Sequence, residues 1–233
     1  MQQATTTPQQ PAPAKPKPQP PPMPPAEFQE KDIATMDAAG LMKILKDAGS
    51  SEFQKAKACQ RAGELGVKEA IPVLAAMLGD EHLSVYARYG LEPMPDPAAD
   101  EALRSAMTKL KGVRLMGVIN SIGKRRDAKA APALVKMMHG ADLDLARASA
   151  AALGAIGDAK DLQAALGKAT GPMKMAIADA CLTCADRLMS DGKREQALAL
   201  YTALSAPDVP KAVRLGAMSA IVREETSVTR PRT

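Results

Sequence analysis

A short phrase rich in glycine and small apolar residues recurs three times along the chain, and each copy precedes a polar turn and a second apolar segment with helical spacing. The copies end at Gly66, Gly123 and Gly157. Such recurrence indicates repeated helical hairpins, because a single hairpin cannot bury its apolar face until a neighbour stacks on it. We therefore predict an all-α fold, specifically a right-handed α-solenoid (an α-α superhelix) of about six helical hairpins.

The apolar residues support a helical rather than a β-rich fold. Hydrophobic residues form 46% of the 233 residues, but aromatic residues form only 2%. Alanine, leucine and methionine supply most of the remainder, and unbranched side chains of this kind favour helices. No window alternates β-branched and polar residues with a period of two, so we expect almost no strand.

Composition divides the chain into a tail and a folded body. The first 25 residues contain ten of the nineteen prolines and no acidic residue. Proline lacks an amide donor and restricts φ, so we predict a disordered, extended tail over residues 1–26. The solenoid should then occupy residues 27–224, and residues 225–233 should be a frayed C-terminus.

The location of the protein remains open at this stage. No run of 18 apolar residues predicts a membrane span, and no apolar leader follows Met1. A proline-rich spacer ahead of a domain favours an exported, periplasmic protein in its mature form, and a cytoplasmic protein is the other interpretation.

The cysteines, histidines and clustered acidic residues fit structural roles better than catalytic or metal-binding roles. Cys181 and Cys184 are three positions apart, but they lie in the middle of a predicted helix, and neither Cys59 nor the two histidines has metal-ligand spacing relative to them. The acidic group Asp96, Asp100 and Glu101 falls in the first turn of a helix, where negative charge is favourable for capping alone. We therefore predict no catalytic residue, no metal and no cofactor.

The strongest local signal is electrostatic. Between Arg104 and Lys129 the chain carries eight cationic side chains and one acidic residue, Asp127. We place residues 124–126 in a turn between helices, where cations from consecutive turns could face a partner together. The predicted partner-binding residues are Arg114, Lys124, Arg125, Arg126 and Lys129. Polyanions are an alternative ligand, although the stretch lacks the aromatic residues that stack on bases.

One segment resembles a known repeat family. The sequence from Asp142 to Lys160, DLDLARASAAALGAIGDAK, is similar to the HEAT-repeat consensus, in particular to the HEAT-like repeats of phycobilin lyases. The resemblance extends over roughly residues 51–168 and implies that Asp144 and Arg147 tie adjacent repeats together. The phrases at 56–61, 86–97 and 117–123 also resemble bacterial, apparently exported HEAT-repeat proteins. Residues 176–205 are closer to a tetratricopeptide-type hairpin.

The resemblance implies an interaction protein. We expect a non-catalytic scaffold or accessory subunit that binds a protein, with an acidic surface as one option, through its concave face and a basic edge. A polyanion- or nucleic-acid-binding solenoid is the first alternative, with nucleic acid the weaker ligand, and a partner subunit of an enzyme is the second. The sequence leaves the oligomeric state open.

Overall fold

A computed structural model describes residues 33–229, with side chains described as far as residue 226. Over this range every regular element is helical and no strand occurs, which confirms the all-α prediction for these residues. The predicted tail at 1–26 lies outside the described residues. The helices are α1 Ala38–Lys46, α2 Glu52–Leu65, α3 Ile71–Met77, α4 Ser84–Leu91, α5 Pro97–Met107, α6 Gly112–Arg125, α7 Ala131–Met138, α8 Leu143–Ile156, α9 Ala159–Leu166, α10 Gly171–Ser190, α11 Arg194–Leu204 and α12 Lys211–Thr229.

Consecutive helices pack in pairs, and the second helices of the pairs pack on one another. The pairs α1/α2, α3/α4, α5/α6, α7/α8, α9/α10 and α11/α12 are all in contact. Contacts also connect α2 to α4, α4 to α6, α6 to α8, α8 to α10 and α10 to α12. The even-numbered helices therefore form one continuous row, and we call this arrangement the even row. No helix of residues 33–229 is long and apolar enough to cross a membrane.

Glycines bring the helices of the even row close together. A Cβ added to Gly154 of α8 would lie 2.5 Å from the carbonyl oxygen of Ala180 in α10, and one added to Gly63 of α2 would collide with the backbone of Gly90 in α4. Real Cβ atoms do not approach backbone atoms this closely. These helices can pack backbone against backbone only because glycine has no side chain.

The structure aligns the three copies of the recurring phrase differently from the sequence, because the residue of the second copy equivalent to Gly66 and Gly157 is not Gly123. Gly66 and Gly157 end their helices with positive φ angles of 65° and 95°. At the corresponding end of α6, however, this position is Arg126, with φ of 60°, and Gly123 lies inside the helix. The prediction that residues 124–126 form a turn is therefore wrong for Lys124 and Arg125, which belong to the last turn of α6.

The C-terminal boundary also differs from the prediction. We expected the last helix to end before a frayed segment at 225–233, but α12 continues to Thr229. Residues 225–229 are therefore helical, and residues 230–233 lie outside the described range. Between Ala217 and Arg230 the sequence contains no glycine or proline that would stop the helix earlier.

Candidate functional site

Arg125, a predicted partner contact, is a buried structural residue. Its side chain is only 7% exposed and forms an ion pair with Asp100 of α5. Its Nη1 donates to the carbonyl oxygens of Leu91, Glu92 and Met94 at 2.8, 3.0 and 2.6 Å. The guanidinium therefore holds the irregular α4–α5 junction against the end of α6, and it is not free to contact a partner.

The other predicted cations do not form one patch with it. Arg126 pairs with Asp191 at the end of α10, and Lys124 pairs with Glu92. Arg114 donates its Nε to the carbonyl oxygen of Asp80 at 3.4 Å. It lies ten residues before Lys124 on the same helix, which separates the two by about 15 Å along the axis.

Lys129 is exposed and lies in the short 3₁₀ turn Ala128–Ala130 before α7. This turn corresponds to the turn Lys68–Ala70 before α3. The expected concentration of cations on a single edge is thus replaced by separate ion pairs at several contacts between helices. Lys124, a member of the predicted set, lines the groove described below.

Asp144 and Arg147 also differ from what the resemblance implied. Their side chains pair with each other within α8, at 3.7 Å, and both remain substantially exposed. The pair therefore contributes little to holding neighbouring hairpins together, since exposed ion pairs within one helix are weak.

A polar layer between α4 and α6 links two other neighbouring hairpins. The Ser121 hydroxyl, fully buried, donates to Glu92 at 2.8 Å, and the Lys124 ammonium donates to the same carboxylate at 2.6 Å. Arg88 of α4 donates to the carbonyl oxygen of Gly117 at 3.3 Å. Gly117 makes room for it, since a Cβ there would lie 2.8 Å from the guanidinium.

An open groove of about 600 Å³ is formed by α2, α4 and the end of α6. We call it the tyrosine groove, because Tyr86 and Tyr89 of α4 line it and remain 42% and 51% exposed. Residues three apart lie on the same face of a helix, so both rings project into the same space. The remaining lining residues are Gln60, Glu64, Glu92, Pro93 and Lys124.

The groove carries two carboxylates and one ammonium. Glu64 is about half exposed and pairs with Arg61 on its own helix, whereas the carboxylate of Glu92 is buried beneath Lys124. The hydrogen bond and charge of Glu92 raise the pKa of the Lys124 ammonium, so this group stays protonated at neutral pH. Two aromatic rings next to fixed charges and an amide are well suited to binding an extended peptide.

The described part of the chain begins beside this groove. The 3₁₀ turn Ile33–Thr35 packs on α2. A smaller cavity between them is lined by Ile33, Ala34, Lys57, Gln60, Arg61 and Glu64. Gln60 and Glu64 line both this cavity and the tyrosine groove, so Ile33, where the described residues begin, lies close to the groove.

The thiols are poorly suited to chemistry. All three cysteines are buried and free. Burial raises the pKa of Cys59 and Cys181 to about 12 and that of Cys184 to about 11, which keeps each thiol protonated and unreactive. Residues 33–229 contain no group of three or more His, Cys, Asp or Glu placed to hold a metal ion.

Asp96 takes the capping position that we predicted for the acidic group at the start of α5. Asp96 accepts the Ala98 amide at the start of α5, and this bond together with Lys68 lowers its pKa. Asp100, in the first turn of α5, pairs with the buried Arg125. His139 occupies the C-cap of α7.

The sequence analysis missed the tyrosine groove, although a signal was present. Two of the three tyrosines in the chain lie three residues apart in a predicted helix, next to a Pro-rich junction. A pair of aromatic residues on one helical face in a chain with few rings is unusual enough to mark a surface. The contribution of α2 could not be predicted in the same way, because it depends on the close packing of Gly63 against Gly90.

Comparison with known proteins gives no independent assignment: no family model matches the chain, and no curated protein matches it.

Proposed function

We propose that the protein is a non-catalytic interaction scaffold that binds a protein partner through the tyrosine groove. The observation that carries this proposal is the exposure of Tyr86 and Tyr89, side by side, on a rigid helix above an open groove. Tyrosine is enriched at binding hot spots because it offers a large contact area at a small cost in conformational entropy. Among residues 33–226 neither hydroxyl is bonded to another side chain or carbonyl, so both are available to a ligand.

The proposed architecture is a right-handed α-solenoid of six hairpins, similar to HEAT repeats. Three features support it: the six helical pairs in chain order, the even row, and the glycines at corresponding positions 63, 123 and 154. A solenoid presents the free face of one helix row as a continuous concave surface. The tyrosine groove lies on the helices of that row, where a scaffold of this class binds its partners.

The predicted basic edge contributes to partner binding only through Lys124. Arg125 and Arg126 are engaged in ion pairs, and Arg125 is buried, so they support the fold. Lys124 remains at the rim of the groove, where it can bind a carboxylate or a backbone carbonyl of the partner. The aromatic lining and the half-exposed Glu64 favour a peptide over a polyanion, since the Glu64 carboxylate would repel phosphates.

The test compares partner binding by the wild-type chain, by a double variant Tyr86→Ala, Tyr89→Ala, and by a control Val113→Ala, Leu143→Ala. The control removes two exposed apolar side chains outside the groove. The wild type and the control are first used to capture proteins from an extract of the source organism, and mass spectrometry identifies the proteins that both retain. Each of these proteins is then purified, and calorimetry measures its affinity for the wild type and both variants.

We expect the tyrosine variant to bind at least about 30-fold more weakly, because each hot-spot tyrosine contributes roughly 1 to 2 kcal/mol. The control should keep its affinity, and circular dichroism should show that all three proteins remain equally helical. Equal affinities for the wild type and the tyrosine variant would refute the groove as the contact surface. An enzyme as the purified partner would make the protein an accessory subunit.

A further inference from the structure

The tyrosine groove has a candidate ligand within the chain itself. Nine of the fifteen residues from Pro11 to Pro25 are proline, and the segment also carries Lys15 and Lys17 without any acidic residue. A sequence of this composition favours the polyproline II conformation. Exposed aromatic rings bind polyproline II segments well, since the proline rings pack on the aromatic faces and little conformational entropy is lost.

The position of the groove matches the origin of this segment. Ile33 lines the same cavity as Gln60 and Glu64, and these two residues also line the tyrosine groove. Seven residues lie between Pro25 and Ile33, and the eight chain steps from Pro25 to Ile33 can span about 26 Å. The helix α4, which carries both tyrosines, is about 12 Å long. The linker is therefore long enough to place the proline-rich segment anywhere along the groove.

One charge of the groove complements the segment. Glu64 is about half exposed and lines both the groove and the cavity beside Ile33, whereas the Glu92 carboxylate is buried and paired with Lys124. Lys15 and Lys17 are the only charged residues of the proline-rich segment. An ammonium can bind the Glu64 carboxylate while the preceding or following proline packs on a tyrosine ring, and it can also interact with the ring face directly.

We infer that residues 11–25 dock intramolecularly in the tyrosine groove and occupy the surface through which the scaffold binds its partner. This inference rests on the proposed function, since it names the kind of segment that the groove recognises. The external partner then contains a similar basic, proline-rich segment that replaces the internal one. Because the internal segment is tethered, its effective concentration at the groove is in the millimolar range, so even a weak contact is substantially occupied.

Paramagnetic relaxation in the full chain tests the docking. A nitroxide label is attached at Gln19→Cys, where the new thiol reacts selectively because the three native thiols are buried and protonated. We expect strong broadening of the backbone amide resonances of Gln60, Tyr86 and Tyr89. The same label in the Tyr86→Ala, Tyr89→Ala background should broaden these positions at least about 3-fold less. The Val113→Ala, Leu143→Ala background should give the wild-type pattern.

A mixture of labelled chain and isotope-enriched unlabelled chain separates docking within one molecule from docking between two. Broadening that is equal in the wild-type and tyrosine-variant backgrounds would show only the nearness of a tethered tail and would overturn the inference. Comparable broadening of the unlabelled chains in the mixture would overturn the intramolecular assignment.

The result is independent of partner binding. Loss of partner affinity in the tyrosine variant without any specific broadening would reject the internal ligand and leave the proposed function in place. Specific broadening combined with unchanged partner affinity would reject the proposed function. In that case the groove would bind the tail alone.

Discussion

Replacing Arg125 with methionine should destabilise the protein severely, although the sequence places this residue in a run of cations that we predicted to be on the surface. Methionine has a flexible apolar side chain that can replace the aliphatic part of arginine, but it lacks the guanidinium group. The substitution would leave the Asp100 carboxylate without its partner and the carbonyl oxygens of Leu91, Glu92 and Met94 without a donor.

The magnitude follows from burial. Hydrogen bonds to a charged group each contribute about 1.5 to 3 kcal/mol, but such contributions do not add because one guanidinium shares them. Breaking a buried ion pair by removing one partner typically costs about 3 to 5 kcal/mol, which is the range we expect for Arg125→Met. For a chain of this size that loss corresponds to a fall in melting temperature of roughly 6 to 20 °C.

The adjacent residue provides the control. Arg126→Met is the same substitution one position later, but the Arg126 side chain is 37% exposed and forms a single pair with Asp191. Its loss should cost less than about 1 kcal/mol. Urea unfolding of the two variants, followed by circular dichroism, measures both values. Similar destabilisation by the two variants, or a loss below about 1 kcal/mol for Arg125→Met, would refute the structural role of Arg125.

Two further predictions concern the packing of the helices and the buried thiols. Gly154→Ala should destabilise the protein by about 1 to 3 kcal/mol in urea unfolding, since the new Cβ meets the Ala180 carbonyl oxygen at 2.5 Å. Gly40→Ala, whose Cβ meets only side chains at 3.4 Å, should stabilise it by up to about 1 kcal/mol, and a loss of stability there equal to that of Gly154→Ala would contradict the packing argument. The raised pKa values of Cys59, Cys181 and Cys184 mean that the folded state keeps protons that the unfolded state releases above pH 9, so stability should fall as the pH rises from 9 towards 11 or 12. At pH 10 each thiol should account for about 1.4 kcal/mol, and a variant with all three cysteines changed to alanine should show a shallower fall between pH 8 and 10 than the wild type; parallel curves would rule out this contribution.

The helices could be predicted from the sequence because their signals are local. The N-caps Asp37 and Ser51 lie next to the apolar segments that they start, and the structure shows both bonds to the first turn of the helix. Gly66 and Gly157 end their helices in the left-handed conformation for which glycine is favoured. The end of α6 was misplaced because Arg126 adopts the same conformation without being glycine.

The candidate site could not be predicted to the same degree, because its parts meet through packing. From the sequence, Arg125 is indistinguishable from a surface cation. Its structural role depends on hydrogen bonds to carbonyl groups of residues 91–96, which lie about 30 positions earlier in the chain. The tyrosine groove requires α2 to lie against α4, and that contact depends on two glycines 27 residues apart. Asp144 and Arg147 show the opposite error, since a motif known for linking repeats forms only a pair within one helix.

The contacts along the even row differ in how they can respond to bending. Where Gly63 meets Gly90 and Gly154 meets Ala180, backbone lies against backbone and there is no side chain whose rotation could take up a displacement. Between α4 and α6 the contact runs instead through Arg88, Glu92, Ser121 and Lys124, whose torsions can readjust while the hydrogen bonds are kept. We therefore expect bending of the even row to be taken up first in this side-chain layer between α4 and α6, which borders the tyrosine groove through Glu92 and Lys124.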